Sequence, residues 1–317
     1  KEVQLPERKK YVKYTQNYKS RAIVDFDSAE ILVETLDDQD PQRSLKNAII
    51  TTLLTPQDPR SVDLFSDKEI VLTDDKEPYL FGLVLDQKTK PIRSPEEAEP
   101  FATYLLEKKY ATRVVDQDGT KKTVHYATMA MVSNLPMKQA EKYRTLVHQF
   151  AQEYNISPSL VFAVIRTESN FNPYAVSSAP AYGLMQLVPT SGGREAYRKA
   201  KGQDVAPSRD YLFDPANNVE LGTAYLNVLM FNQLEAVDHN VSREYCVIAA
   251  YNTGPSNVFR TFSRDRTTAV NQINSLQPAG VYDQLRKKLP YEETRNYLEK
   301  VTGYRKSFVS SSESSTQ

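Results

Sequence analysis

A carboxylate interrupts an apolar helix face in the sequence around Glu168. Ser157 is a typical N-cap and Pro158 a typical first residue of a helix, so a helix is predicted to begin there. The residues that follow on one face at helical spacing are Val161, Val164, Ile165 and Glu168. A carboxyl group desolvated on such a face has a raised pKa, as a general acid needs. A glutamate that faces solvent beside Arg166 has the same spacing, and the periodicity leaves both interpretations open.

A glycine-containing segment follows at residues 177–189. It joins Gly183, which permits a close approach of the backbone, to two apolar residues and the uncharged amide of Gln186. Such a turn can present an amide donor to a ligand. Taken alone, the segment is more typical of a buried turn that enters a helix interrupted by Pro189.

Two later helices carry polar side chains at regular spacing. An apolar helix is predicted to end at Tyr251 and Asn252, with Gly254 as its C-cap signal. Glu293 and Tyr297 are four residues apart and therefore lie on one helical face. A capped core helix and an ordinary surface pair explain these two signals when each is taken alone. The four signals carry more weight together, because they occur in one chain and in one order.

Composition excludes several classes of protein. The 317 residues include 40 basic and 40 acidic side chains, so the formal net charge is zero. A protein that coats nucleic acid is strongly basic, and no nucleic-acid partner is expected. The sequence has no run of about 18 uncharged apolar residues that could span a bilayer. One cysteine excludes an internal disulfide framework, and the three histidines lie too far apart for a local metal site, so no metal or cofactor is expected.

The secondary-structure pattern changes near residue 136 and predicts two domains. Residues 1–136 are expected to form a small α+β domain with a largely antiparallel sheet. Its predicted elements are strands at 21–27, 30–36, 79–85, 112–116 and 124–132, helices at 41–54 and 95–109, and a turn at Asp118–Gly119. Residues 137–309 are expected to be almost entirely helical, and the serine-rich residues 310–317 to form a disordered tail. The chain begins at Lys1 without a methionine or signal sequence, as expected of a processed or trimmed product.

The four chemical signals resemble the ordered motifs of a known enzyme family. Slt-type lytic transglycosylases, which are lysozyme-like enzymes of bacterial cell-wall turnover, have motifs similar to Glu168-Ser169, Gly183-Leu184-Met185-Gln186, Ala250-Tyr251-Asn252 and the Glu293-to-Tyr297 helix. The resemblance covers roughly residues 140–306 and implies a goose-lysozyme-like catalytic domain. Residues 11–15, 48–54, 58–64 and 91–93 are similar to the amino-terminal domain of a membrane-bound branch of the same family.

The resemblance implies a role for each motif residue. Glu168 is implied as the sole catalytic acid and base, which protonates the glycosidic oxygen between N-acetylmuramic acid and N-acetylglucosamine. It then takes the proton of the muramyl 6-hydroxyl, leaving a 1,6-anhydromuramyl end. Ser177 is similar to the serine that binds the substrate acetamido group. Tyr182 is a further implied substrate-binding residue, and it ends the segment Pro180-Ala181-Tyr182, where many relatives have a smaller Gly-Ala approach. The remaining implied substrate-binding residues are Met185, Gln186, Tyr251, Asn252, Glu293 and Tyr297.

The resemblance also implies a partner and a location. The implied partner is the glycan strand of peptidoglycan. The relative with the most similar amino-terminal domain is a lipoprotein, held at the periplasmic face of the outer membrane by an acylated amino-terminal cysteine. That cysteine is not in this chain, so the anchor is expected only in a full-length protein.

Two alternative functions remain open. A goose-type lysozyme has the same fold but hydrolyses the bond, and it needs a carboxylate about 6.5 to 9.5 Å from Glu168 to activate water. The sequence does not place Asp204, Asp210 or Asp214 relative to Glu168. A murein-binding scaffold without catalysis is the second alternative, because kinship of fold does not guarantee activity.

Overall fold

The computed structural model describes residues 3–70, 77–117 and 119–313. The chain folds into two compact units, neither of which is one continuous stretch of sequence. The first unit comprises Lys1–Lys142, Ser169–Gln186 and Arg209–Pro215, and the second comprises Tyr143–Glu168, Leu187–Ser208 and Ala216–Gln317. The predicted domain boundaries at residues 136 and 309 stay a prediction.

A five-stranded antiparallel sheet organises the first unit. The strands are β1 Lys10–Thr15, β2 Ser20–Asp25, β3 Glu30–Thr35, β4 Ala111–Gln117 and β5 Thr120–Ala130. Their order in the sheet is β1-β2-β3-β5-β4. The sheet confirms the predicted hairpin and the two later strands. The predicted turn at residues 118–119 falls partly outside the described residues, since the structure describes Gly119 but not Asp118.

The structure differs from the sequence prediction at two places in this unit. β1 was not predicted, because Lys13 interrupts its apolar pattern at a buried position. The ammonium group of Lys13 donates to the carbonyl oxygens of Asp63 and Ser66 at 2.7 and 2.8 Å. The strand predicted at residues 79–85 is wrong. That segment forms turns around Gly82, whose φ of 71° is in the left-handed region and ends any extended run.

Two helices cover one face of the sheet. They are α1 Pro41–Leu53 and α2 Pro95–Lys108, close to the predicted bounds. The side chain of Asp40 caps α1 by accepting from the backbone N–H of Arg43, and Pro41 supplies the preset first turn. Leu45, Ile49 and Phe101 are buried with the apolar side of the sheet in one core. Hydrophobic burial of this face therefore determines the strand register.

Two buried tyrosines, Tyr174 and Tyr79, anchor the segment Ser169–Gln186 in the first unit through hydrogen bonds of their hydroxyl groups. Tyr174 is fully buried, and its ring centroid lies 4.7 Å from that of Tyr11 and 5.6 Å from that of Tyr79. Tyr174 donates its hydroxyl to the carbonyl oxygen of Pro56, and Tyr79 donates to that of Phe171 at 2.9 Å. Both of these buried phenol oxygens thus have a backbone partner, as burial of a polar group requires.

Amide side chains add further bonds to the same segment. Asn170 donates to the carbonyl oxygen of Phe26 at 2.6 Å, and Asn172 donates to that of Arg8 at 3.2 Å. Asn170 itself has a left-handed φ of 48°, which asparagine tolerates better than most residues. The segment is therefore fixed by residues distant in sequence rather than by regular structure of its own.

The second unit is built from helices. The α-helices that begin at or after residue 135 are α3 Leu135–Glu153, α4 Pro158–Ser169, α5 Gly192–Lys201, α6 Arg209–Phe213, α7 Pro215–Val228, α8 Asn240–Thr253, α9 Pro255–Phe262, α10 Arg266–Ser275, α11 Pro278–Lys288 and α12 Glu292–Glu313, and a π-helix spans Leu229–Gln233. Of these, α6 and the start of α3 belong to the first unit. Pro255, which has no counterpart among the expected motif residues, begins α9 directly after Gly254 ends α8. The α+β fold class predicted from the sequence is confirmed.

The last helix corrects the predicted tail. Disorder was expected from residue 310, but α12 continues to Glu313. Once a helix is formed, each added residue gains one backbone hydrogen bond, so serines at the end of a long helix extend it. Residues 314–317 lie outside the described residues. No helix among the described residues is long and apolar enough to cross a membrane.

Candidate active site

The carboxylate of Glu168 is buried near the carboxyl end of α4. The three residues that precede it on the same face, Val161, Val164 and Ile165, are fully buried, and Glu168 is 5% exposed. Arg166 points to a different partner, because its guanidinium carbon lies 3.9 Å from the ring centroid of Tyr304. The structure therefore contradicts the solvent-facing interpretation of Glu168 and leaves a desolvated acid.

Tyr251 on α8 interacts electrostatically with Glu168. Burial raises the pKa of the Tyr251 phenol well above its usual range, and the negative charge of Glu168 raises it further. Tyr251 consequently keeps its proton at neutral pH and acts as a hydrogen-bond donor. The pair consists of a buried carboxyl group and a protonated phenol, which is an arrangement suited to proton transfer at a sugar oxygen.

Tyr225 on α7 is a further member of the site that the motifs did not identify. Its ring centroid lies 5.4 Å from that of Tyr251 with an interplanar angle of 54°. Burial raises the pKa of the Tyr225 phenol, so this hydroxyl also stays protonated. A Cβ on residue 192 would lie 3.1 Å from the Tyr225 ring, so Gly192 permits the close approach of α5. Spacing within α7 does not single out Tyr225, because this helix is buried on several faces and has no amphipathic stripe.

Asn252 is held by the last helix. Thr294 donates its hydroxyl to the side-chain oxygen of Asn252 at 2.7 Å, which links α12 to the end of α8. Thr294 is buried, and Tyr297, Leu298 and Val301 continue the same buried stripe at helical spacing.

The predicted pair on α12 is divided between the surface and the interior. Tyr297 is buried, whereas Glu293 is exposed, because it precedes the buried stripe by one residue. The roles of Glu293 and Tyr297 stay predictions.

The first unit positions the glycine-containing motif. Gln186 donates its amide to the carbonyl oxygens of Ala175 and Gly183 at 3.1 and 3.0 Å. Gly183 and Gln186 have left-handed φ values of 74° and 48°, and a non-glycine residue in that region is typical of functional loops. The predicted amide donor is thus used inside the loop, where it fixes the loop shape.

The other predicted residues of this loop have distinct environments. Ser177 is partly buried, and its hydroxyl donates to the carbonyl oxygen of Ala179. Tyr182 is partly exposed, with its ring centroid 5.5 Å from that of Phe213. Met185 is fully buried, so it supports the loop from inside. Substrate contacts by these three residues stay predictions.

The aspartates weighed for water activation each have a basic partner. Asp204 forms two hydrogen bonds with Arg194, at 2.8 and 2.9 Å, and this pairing lowers the pKa of the carboxyl. Asp210 lies 3.4 Å from the guanidinium of Arg209. The carboxylate of Asp214 is 3.1 Å from the guanidinium of Arg60. In the described part of the chain, no group of three or more His, Cys, Asp or Glu side chains is arranged to hold a metal ion.

Comparison with known proteins agrees with both sequence resemblances. Residues 1–142 match the model of the membrane-bound lytic murein transglycosylase C N-terminal domain, and residues 145–274 match that of the transglycosylase SLT domain. The membrane-bound lytic murein transglycosylase C of Yersinia enterocolitica is 45% identical over 97% of this chain and 84% of its own length. That of Serratia proteamaculans is 44% identical with the same coverage.

Among solved structures, the lytic transglycosylase Slt of Pseudomonas aeruginosa is similar to this chain. It is 30% identical over 51% of this chain and 23% of its own, with a TM-score of 0.40. The two domain matches and the near full-length relatives show that this chain belongs to the membrane-bound lytic murein transglycosylase C family.

Proposed function

We propose that this protein cleaves the β-1,4 bond between N-acetylmuramic acid and N-acetylglucosamine in peptidoglycan without water, leaving 1,6-anhydromuramyl ends. The observation that carries the proposal is the buried carboxyl group of Glu168, which interacts with the protonated phenol of Tyr251. Membership of a lytic transglycosylase family supports the same reaction.

Glu168 acts first as the acid. It transfers its proton to the glycosidic oxygen, the bond to the muramyl anomeric carbon breaks, and N-acetylglucosamine leaves with that proton. The resulting Glu168 carboxylate then accepts the proton of the muramyl 6-hydroxyl while that oxygen bonds to the anomeric carbon. Glu168 ends protonated, as it began, so one group serves both steps and no water is consumed.

Charge stabilisation in this scheme comes from the substrate and from fixed donors. The 2-acetamido group stabilises the cation-like anomeric centre, and Ser177 holds that group. Tyr251 and Asn252 orient the sugar and Glu168. Donors that are already in place when charge develops lower the barrier without further reorganisation.

The remaining motif residues have binding and supporting roles. Tyr182 contacts the glycan strand, Met185 and Gln186 fix the shape of the loop that carries it, and Glu293 and Tyr297 support the last helix. Cleavage yields two pieces of the glycan strand, one that ends in the 1,6-anhydro ring and one that begins with N-acetylglucosamine. No cofactor takes part in any of these steps.

Location and domain roles complete the proposal. Relatives named membrane-bound support a protein of the cell envelope. We place the full-length form at the periplasmic face of the outer membrane, held by a lipid on an amino-terminal cysteine. Residues 1–136 form the family's amino-terminal domain, and residues 137–309 carry the chemistry.

A reducing-end assay tests the reaction. Purified sacculi incubated with the protein should release soluble glycan without new reducing ends, because each muramyl end is closed in a 1,6-anhydro ring. Goose-type lysozyme is the control, since hydrolysis creates one reducing end for every bond cut. Equal numbers of reducing ends and cuts would refute the proposal, and absence of any release would favour the non-catalytic scaffold.

A further inference from the structure

The sheet of the first unit has a second face that α1 and α2 do not cover. Successive residues of a strand point to opposite faces, so the neighbours of the core residues Tyr11, Ala22 and Val33 face the other way. Tyr14, Arg21, Glu34 and Tyr126 lie side by side in the strand register on that second face. Aromatic and charged side chains thus form one row across the sheet.

A buried carboxylate fixes two guanidinium groups in this row. The side chain of Glu34 is 7% exposed, and its two oxygens accept from Arg21 and from Arg113 on the edge strand β4. Arg113 also lies 5.1 Å above the ring of Tyr126, and Arg21 donates to the hydroxyl of Tyr14 at 3.3 Å. Both cations are therefore oriented before any ligand arrives.

A cavity of about 600 Å³ opens over Tyr14, Arg21 and Glu34 of this row. That volume is typical of pockets that bind small ligands. Two guanidinium groups, those of Arg21 and Arg113, share the one carboxylate of Glu34 in its lining, so this cluster carries a net positive charge. The other charged lining residues are Asp116 and Lys19, and Lys19 lies 3.4 Å from Asp37. Tyr18 and Phe65 form part of its wall and are 49% and 52% exposed, which leaves aromatic surface available for contact.

We infer that this pocket binds the peptide stems of peptidoglycan through their free carboxylates. Oriented guanidinium groups match carboxylates in charge and in planar geometry, and aromatic walls pack against the aliphatic and lactyl parts of a muramyl peptide. The inference rests on the proposed function, since it takes peptidoglycan as the substrate. It assigns to the first unit a substrate contact separate from the glycan-cleaving residues.

Co-sedimentation with sacculi tests the inference. The full chain carries Glu168→Gln so that the glycan stays intact, and it is mixed with whole sacculi or with sacculi stripped of stems by an amidase. Binding should be weaker to stripped sacculi. Arg113→Gln should lower affinity for whole sacculi about tenfold, as typical for loss of a hydrogen bond to a charged group, and leave affinity for stripped sacculi unchanged.

A matched control separates local from general charge effects. Arg93→Gln removes the same charge from the same unit at a residue paired with Glu77 outside the pocket lining, and should bind like the parent. Phe65→Ser removes an exposed aromatic ring from the pocket wall, leaves the ion cluster in place and should also weaken binding to whole sacculi. This second variant tests the pocket if Arg113→Gln fails to fold.

Product analysis keeps the two proposals distinguishable. With the catalytic chain, anhydro products from stripped glycan together with stem-independent binding would overturn only the pocket assignment. Equal binding of parent, Arg113→Gln and Phe65→Ser to whole sacculi would do the same. Absence of anhydro products from both kinds of sacculi would instead overturn the proposed function.

Discussion

Thr294 donates its hydroxyl to the side-chain oxygen of Asn252 across 2.7 Å, and so ties the last helix to the end of α8. The bond is formed by a fully buried threonine, adjacent to the glutamate that the motif pattern selected. It orients an amide that follows Tyr251 directly in the chain. The last helix therefore acts on the site by positioning Asn252.

Replacement of Thr294 by valine should reduce turnover. Valine keeps the shape but removes the donor, and the loss of one hydrogen bond costs about 1 kcal/mol, or roughly fivefold in rate. We expect kcat to fall and Thr294→Ser to restore it. Thr302→Val is the matched control, because Thr302 on the same helix bonds only the backbone oxygen of Leu298 in the described structure. An equal loss in both variants would contradict a positioning role.

The helical motifs show what periodicity can predict. Glu168 and its apolar neighbours were placed on one face from spacing alone, and burial confirms that face. Spacing selected Glu293 and gave no signal for Thr294, whose hydroxyl binds Asn252. The two differ by about 100° around the helix axis, and only packing against α8 decides which one faces inward.

Replacement of Glu168 by glutamine should abolish turnover while the chain stays folded. Glutamine preserves the size of the side chain but can neither donate nor accept the transferred proton. We expect loss of soluble product to below a thousandth of the parent rate, with an unchanged circular dichroism spectrum and retained binding to sacculi. Glu220 is a second buried glutamate of the second unit. Glu220→Gln is therefore the control for loss of a buried charge and should keep measurable turnover. Near-normal release by Glu168→Gln would contradict the assignment.

Removal of the Tyr225 ring should slow catalysis through Tyr251. An aromatic pair contributes about 0.5 to 1.5 kcal/mol, so Tyr225→Leu should lower kcat roughly two- to tenfold. Tyr225→Phe keeps the ring and should restore the rate. The effect of Tyr225→Leu should shrink when Tyr251 is already alanine, since residues that act as one unit are not additive. Additive losses in the double variant would contradict this role.

Lys142 should make stability depend on pH in the alkaline range. Burial lowers the pKa of its ammonium group from 10.5 to about 8, although it donates to the carbonyl oxygen of Tyr79 at 2.7 Å. Between these two values the unfolded chain binds a proton that the folded chain does not. The free energy of unfolding should therefore increase, and the fold become more stable, as pH rises through this interval.

Urea titrations of the parent and of Lys142→Met measure that contribution. The difference in unfolding free energy between the two should shift in favour of the parent from pH 8 to pH 10.5. A constant difference over the interval would contradict the lowered pKa.

The first unit contains both elements that periodicity predicts and a segment that it cannot predict. The antiparallel hairpin and both helices follow local periodicity and were predicted. The segment Ser169–Gln186 has no periodicity, because its conformation depends on Tyr79 and on the backbone oxygen of Phe26, which are remote in sequence. Tyr225 was missed for a related reason, since its role arises from a ring contact between two helices rather than from spacing within one.

Product analysis in water labelled with a heavy oxygen isotope tests the central claim most directly. Digestion of purified sacculi by the parent protein should yield muropeptides that are one water lighter than their reducing forms and carry no label. That result means the muramyl 6-hydroxyl, and not water, attacked the anomeric carbon. Labelled reducing ends would contradict the account and make the protein a hydrolase.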